Sequence, residues 1–483
     1  MKDKSGPAII CFIVLMISYL YLKTFEKQNL DLAVCILSSR QNFELRNAIR
    51  NSWFNDIVSI ELGHTKTVQA KFVIGQDACL IHPENRIDSF GCEPWNVSLP
   101  KSSELTTFFM KPDNCNQHFN FVLNFYVKVM HGIVLKRIGI ADIFSQLVLK
   151  EHEKASMNVY FYDARTDEEI SITHFDGNNK GQERNGYSYR PVQEILLPKG
   201  YEFIIQLKLD LKLSDLEKLK TGINSVSEES HHGMIVIRAT DQYGHLLNER
   251  THVNYIPAVS FMFTVHSVES LKNHLELVLD RDKEWLQKVD LESQQLKEEQ
   301  KLYQDIILVD VLDVYRNLPQ KVLAGHLWLE DNYVVKYVMK TDDDCYVNID
   351  TVLKSLPNCS GTNMIWWGNF RTNWAVEQHG KWVELEYGAM VYPRFACGSG
   401  NIVSSEVHSW LVLNRQKLKH FQGEDVSMGI WLSGLNVQHI QDDRWQCKMS
   451  CDNDLLSLPE LSPEEIHWHW NNSKHCATPC LPC

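Results

Sequence analysis

Three consecutive aspartates, Asp342, Asp343 and Asp344, interrupt the apolar run YVVKYVMKTDDDCYVNID at residues 333–350. Like charges that close repel each other, so the chain needs a reason to keep them. On an extended strand successive side chains alternate faces, which puts Asp342 and Asp344 on one side and Asp343 on the other. Two carboxylates on one face at a strand end form half of a site for a hard divalent cation, which takes oxygen ligands and relieves the repulsion. The remaining ligands would be water or a diphosphate. The competing reading is an aspartate-rich solvated turn, against which stands the position: open α/β sheets gather their ligands just beyond strand C-termini.

Other residues offer complementary chemistry. QGEDVSMGIWL places Glu424 and Asp425 directly after Gly423, at the start of a helical pattern. Acidic residues there complement the helix dipole; equally, a carboxylate kept ionised by that dipole, its pKa lowered, would serve as a general base. In ELRNAIRNSW, Arg46 and Arg50 stand one helical turn apart, as a solvated basic face or as a phosphate site. WWGNFRTNW and YPRFACGSG bring aromatic rings suited to sugar faces and small residues that let a ligand approach the backbone, although Trp366, Trp367 and Trp374 would serve equally as core. Ser399 in CGSG lacks the G-x-S-x-G setting of a hydrolase nucleophile. A glycosidase would use two acidic sites but has no use for a metal-like triple aspartate.

The elements that must position these groups follow from periodicity. LAVCILSS (residues 32–39) reads as a buried strand, ELRNAIRNSW as a helix and KFVIG (71–75) as a second buried strand, the opening of an α/β sheet. After Gly75 the pattern alternates. In YEFIIQLKLDLKL, Phe203, Ile205, Leu207, Leu209 and Leu211 share one face, and MNVYFYDAR, MIVIRAT and VSFMFTV read as further strands between polar turns. This predicts a β-rich insertion, a sandwich, over residues 76–265. Helical pattern returns in SVESLKNHLELVLDRDKEWLQKVDLESQQLKEEQKLYQD, too short in repeats for a coiled coil. The strand DIILVDVLD (305–313), a helix through 321–328 and the strand ending in the aspartates then resume the α/β alternation. One catalytic domain thus spans residues 32–75 and 266–483.

The 483 residues carry a net charge of −13 with no long Lys/Arg cluster, which argues against a nucleic-acid partner. Residues 8–22 are uncharged and apolar between flanking lysines, long enough for a thin bilayer, and no small-residue cleavage site follows. The expectation is a single signal anchor with residues 1–7 as a cytosolic tail and a lumenal body, in the endoplasmic reticulum or Golgi membrane. Sequons at Asn96, Asn358 and Asn471 and thirteen cysteines agree with that compartment, in which Cys447, Cys451, Cys476, Cys480 and Cys483 read as disulfide partners in preference to zinc ligands.

In sequence order, R-x-x-I-R-x-x-W (46–53), KFVIG, YQDIILVDVLDVYRNLPQK, KTDDDCYV, YPRFACGSG and GEDVSMGIW resemble the β-1,3-glycosyltransferases of glycosyltransferase family 31. The resemblance implies a GT-A fold, a UDP-sugar donor, a Mn2+ ion and inversion at the anomeric carbon. It implies Asp425 as catalytic base and Asp344 with Asp342 at the metal. Arg46, Arg50, Lys340, Asp342 and Asp343 would serve the donor. Glu424, Trp374 and Tyr387 are assigned to the acceptor, the last two from their location beside the motifs. Many members add a downstream histidine to the metal; here His439, His467 and His469 are the candidates, and none has a spacing that settles it. Through the insertion and the C-terminal cysteines the chain resembles members that move GalNAc from UDP-GalNAc in β-1,3 linkage onto a terminal β-linked GlcNAc of an O-mannosyl glycoprotein, α-dystroglycan. The alternatives are a galactosyl- or N-acetylglucosaminyltransferase of the same family, or a non-catalytic, lectin-like partner.

Overall fold

The computed structural model describes residues 27–57, 67–112, 120–142, 144, 156–209, 223–228, 231–240, 255–357, 364–377, 380–384, 386–452, 454–476 and 478–481. The expected tail and anchor, residues 1–22, and the sequon at Asn358 lie outside them. Among the described residues no helix is long and apolar enough to cross a membrane. The described residues form two compact units, one from those within 27–78, 290–374 and 392–481, the other from those within 79–289 and 375–391.

The first unit is a mixed α/β sheet. Its strands are β1 (Gln28–Leu37), β2 (Val68–Asp77), β3 (Ile306–Leu312), β4 (Tyr333–Asp342), β5 (Ile365–Arg371), β6 (Phe395–Ser404) and β7 (Gln438–Gln441), in the order β3-β2-β1-β4-β6-β5-β7. β3, β2, β1 and β4 run parallel, and β6 pairs antiparallel with both β4 and β5. The parallel strands are near-continuous hydrophobic runs because both faces are covered. Leu32, Val34, Ile36, Phe72, Ile74, Met339 and Trp367 join one core with Ala48 and Ile49 of helix α1 (Phe43–Arg50) and with Trp53 just after it.

Helix α2 (Val268–Tyr303) is followed by α3 (Leu318–Asn332), α4 (Ile349–Ser355), α5 (Ser405–Asn414), α6 (Glu424–Leu432) and α7 (Pro463–His475). α7 opens with a full capping box, Ser462 and Glu465 each satisfying the other's backbone N–H. Register matters most at one place: Leu37 pairs with Asp342, so β1 and β4 end side by side. The loop after β1 and the triple aspartate are neighbours for that reason.

The second unit contains two five-stranded sheets. One has the order Gln182–Arg184, Tyr187–Leu197, Ile133–Ala141, Val259–Val265, Leu105–Thr106; the other runs Ile235–Thr240, Asn124–Val129, Glu202–Leu209, Met157–Asp163, Glu169–Phe175. Their inward residues form a core of their own, with Phe161, Phe203, Ile205, Phe261 and Phe263 at its centre. Alternation is what the sequence carries here: in Glu202–Leu209, Phe203, Ile205 and Leu207 are buried while Ile204, Gln206 and Lys208 are not. The expected insertion ended at residue 265; the compact unit also takes in the first part of α2 and residues 375–391.

The C-terminal cysteines cross-link the first unit. Cys397 at the start of β6 bonds Cys447, Cys451 bonds Cys480, and Cys476 is also disulfide-bonded. In the second unit Cys79 bonds Cys92. Asn96 and Asn471 are exposed, as a glycan acceptor must be. Replacing both Cys397 and Cys447 by serine is expected to cost about 2–5 kcal/mol, because the bridge closes a long loop of the unfolded chain. Equilibrium denaturation checks it, and a variant within 0.5 kcal/mol of wild type, by the ~0.5 kcal/mol spread of neutral surface changes, would contradict it.

Candidate active site

A buried cation sits where three elements meet. Lys340, two residues before the end of β4, is 8% exposed. Its ammonium contacts Asp342 at 2.9 Å and Glu424 at 2.6 Å and donates to the Gly398 carbonyl at 2.6 Å. A lysine on strand β4, the small-residue stretch of strand β6 and the first residue of α6 are thereby held by one charge. Gly398 makes the approach possible: a Cβ there would stand 3.2–3.4 Å from Glu424 Oε1, Lys340 Nζ and Asp342 Oδ2. Burial alone would strip Lys340 of its proton, but Asp342 and Glu424 outweigh it and keep the amine charged. The same partner holds Glu424 below its ordinary range in spite of burial. Glu424 and Lys340 are thus committed to each other, where the sequence reading assigned them to acceptor and donor.

The three aspartates divide between two faces. Asp343 is buried and accepts from the Asn42 side-chain amide at 2.9 Å, while its backbone N–H donates to Leu37. Asn42 stands at the N-cap of α1 but makes no capping bond with its side chain. Burial pushes the Asp343 carboxyl up to about 6, tempered by Ser38 and Asn42. Asp342 and Asp344 are only partly covered, and the Asp344 charge adds to the cost of ionising Asp342. Burial is the larger influence on Asp342, and with Glu424 and Asp344 added it is pushed up to about 8 even with Lys340 beside it.

Such a pair fits a hard divalent cation: the exposed donor set is all oxygen, and its excess negative charge is uncompensated by the one lysine. Among the described residues no group of three or more His, Cys, Asp or Glu side chains is assembled for a metal. Two of the three candidate histidines are occupied otherwise. His439 packs edge-on to Phe370 and against Trp366, and His469 is buried with Nδ1 on the Pro479 carbonyl. His467 lies partly exposed on α7, on the same helix as His469.

Asp425, second in α6, is partly covered beside the buried Glu424, and its Oδ1 accepts from the Val426 N–H at 2.7 Å. Gly423 is needed for this: a Cβ there would lie 2.8 Å from that oxygen. The local argument from the helix dipole predicts a lowered pKa. Instead burial, followed by the Glu424 charge, pushes Asp425 up to about 7, against the smaller pull of the Val426 bond, Lys340 and Arg371. A carboxylate poised near neutral pH is suited to both taking and releasing a proton.

Arg46 and Arg50 do share a helix face, and it points inward. Arg46 is fully buried, with Nη2 2.7 Å from Glu299, Nη1 on Ser38 and Ser39 and Nη2 also on the Arg40 carbonyl. Arg50 contacts Glu299 at 2.6 Å and grips Asp305 with two bonds of 2.7 and 2.9 Å. The guanidinium groups hold the loop after β1 against α2 and β3, and the loop in turn presents Asn42 to Asp343. Neither Glu299 nor Asp305 was singled out from sequence, since each lies some 250 positions from its partner. Trp374, 39% exposed, lies under the Arg371 guanidinium at 4.4 Å. Tyr387 belongs to the second unit, its N–H on Glu384 at 3.0 Å.

Removing one buried partner leaves uncompensated charge. Glu299→Ala is therefore expected to destabilise by about 3–5 kcal/mol, read by chemical denaturation; an unchanged midpoint would mean the two arginines do not depend on it.

Comparison with known proteins places this geometry. The Galactosyltransferase family profile matches residues 287–443, which contain the triple aspartate and the Glu424–Asp425 pair. UDP-GalNAc:beta-1,3-N-acetylgalactosaminyltransferase 2 of Xenopus laevis is 35% identical over 454 residues, 93% of this chain and 91% of that protein. The Homo sapiens protein of the same name is 32% identical, covering 94% and 90%. Beta-1,3-galactosyltransferase 6 of Mus musculus is 32% identical over 182 residues, 36% of this chain and 56% of that protein. With similarity of this extent the chain belongs to the β-1,3-glycosyltransferases of glycosyltransferase family 31.

Proposed function

We propose that the chain is an inverting β-1,3-N-acetylgalactosaminyltransferase that moves GalNAc from UDP-GalNAc to a terminal β-linked GlcNAc. The observation that carries the chemistry is the partly covered carboxylate Asp425, pushed up to about 7 next to a partly open aspartate pair. The donor rests on similarity over more than nine-tenths of the chain to proteins named for UDP-GalNAc. The acceptor, an O-mannosyl glycan of α-dystroglycan, follows the family resemblance, as does a lumenal site behind a membrane anchor at residues 8–22.

Asp425 takes the proton of the acceptor hydroxyl, which is a poor nucleophile until that proton is removed. A positioned base of this kind contributes about 10²–10⁴ in rate. Attack from the face opposite the leaving UDP inverts the anomeric centre in one displacement. Asp342 and Asp344 would hold Mn2+, whose chemistry is to stabilise negative charge on the departing diphosphate. Lys340 keeps Glu424 ionised, and Glu424 sets the electrostatic level of Asp425. Asp343, held by Asn42, aligns the loop after β1 beside the donor, and Arg46 and Arg50 act as positioning residues through that loop. Trp374 supplies an aromatic face for the acceptor sugar.

Three outcomes test the reading. Asp425→Asn is expected to lower kcat by about 10²–10⁴ while UDP affinity survives; equal loss of UDP binding would count against the base. Wild-type kcat should fall as pH drops through about 7, because the base must be ionised. Stability carries the opposite sign. The Asp425 pKa is higher folded than the ~3.9 of an unfolded aspartate, so its contribution is present below pH ~4 and lost as pH rises through 7. Asp425→Asn should accordingly gain melting temperature relative to wild type at pH 8 more than at pH 5, and a pH-independent difference would refute the burial argument.

A further inference from the structure

Behind the two carboxylates lies a small space that the reaction as described leaves unused. It measures about 20 Å³, room for one water, and its polar wall is His326, Lys340, Asn401, Glu424 and Asp425. His326 on α3 and His408 on α5 are 4% and 1% exposed, with their Nδ1 atoms 2.8 Å apart. Two imidazole nitrogens at that distance share one proton, so one ring donates and the other accepts. On the outer side, His408 Nε2 stands 3.0 Å from Glu330 Oε2, within ion-pair range though off the line of a straight hydrogen bond. Glu330 lies one turn beyond His326 on α3, and its side chain is 41% exposed.

Chemistry fixes the direction of this chain. An ionised glutamate can only accept, which keeps the proton of His408 on Nε2 and leaves the lone pair on its Nδ1. His326 then donates from Nδ1 and retains a lone pair on Nε2. Burial holds both rings below the ordinary histidine range, His326 far below, so both stay neutral near pH 7. A water accepting nothing from such a ring but donating to its Nε2 has a second hydrogen to give, and Asp425 lines the same space.

We propose that Glu330, His408 and His326 are positioning residues for the base, which through a single water in this cavity present a hydrogen-bond donor to the Asp425 carboxylate. The proposal rests on the reading of Asp425 as the base. A donor there favours the ionised form and offsets part of the burial that works against it. The other charges facing Asp425 are Glu424 on α6, Lys340 on β4 and Arg371 on β5; Lys27 faces the outer end of the chain, at His408 and Glu330.

The test is kcat against pH for the full chain with UDP-GalNAc and a β-linked GlcNAc acceptor, in wild type, His408→Phe, His326→Gln and Glu330→Ala. Without His408 the His326 lone pair is no longer fixed toward the cavity and the water no longer held with a hydrogen toward Asp425, so the acid midpoint should move upward in His408→Phe by about half a unit or more, roughly a threefold loss of kcat at pH 6. At pH 9 kcat and the donor KM should match wild type. His326→Gln, which keeps an acceptor toward the cavity, should stay nearer wild type, and Glu330→Ala should shift in the same direction by less. An unmoved midpoint in all three overturns the proposal, as does a loss uniform across pH with a lowered melting temperature, which would assign the pair to packing. If His408→Phe fails to fold, the surface variant Glu330→Ala decides on the same midpoint. Full activity in Asp425→Asn would sink the base reading itself, whereas an inactive Asp425→Asn with unmoved histidine variants would sink only this positioning role.

Discussion

Everything at the site depends on one buried ammonium. Lys340 lies among carboxylates that could not otherwise be brought together, and it joins the end of β4, the small-residue stretch of β6 and the start of α6. Removing water from such groups is costly, and the cost is offset only where the geometry lets each charge meet its partner. Here it is offset incompletely. One lysine serves Asp342 and Glu424, while Asp344 and Asp425 add charge nearby. The residual repulsion raises the cost of ionising Asp342 and Asp425, and a cation at the aspartates would relieve it. On the proposed function, stability is given up for chemistry where the sheet, a loop and a helix terminus converge.

A second charge network supports the first from outside. Arg46 and Arg50 on α1 meet Glu299 on α2 and Asp305 before β3, with side chains of all four less than a tenth exposed. Breaking such a network by removing one partner is far more costly than the pairs are individually worth. Its effect is to fix the loop after β1, from which Asn42 reaches Asp343. The register of β1 with β4 then carries that order to the partly exposed aspartates, Asp342 and Asp344.

How much of this was legible in the sequence follows from the range of each interaction. Strands such as β1 and β4 were readable because hydrophobic periodicity is local. The division of Asp343 from Asp342 and Asp344 was readable for the same reason, since alternation along a strand needs no knowledge of the rest of the fold. The partners of Arg46 and Arg50 were not, because Glu299 and Asp305 reach them only through the chain's return after a long insertion. The pKa of Asp425 was misjudged for a related cause: the helix dipole is a local effect visible in GEDVSMGIW, whereas burial and the Glu424 charge depend on packing. The His326–His408 pair carried no signal at all, as neither residue belongs to a motif and 82 positions separate them.

The central claim is that this cluster exists to transfer a sugar from a nucleotide donor. It is tested most directly by offering the purified, folded chain UDP-GalNAc, UDP-Gal and UDP-GlcNAc in parallel, with a β-linked GlcNAc acceptor, before and after chelation of divalent cations. The account predicts a β-1,3-linked product from UDP-GalNAc that disappears on chelation and returns with Mn2+. A folded chain that transfers from none of the three while still binding the acceptor would contradict it and favour a non-catalytic glycan-binding partner.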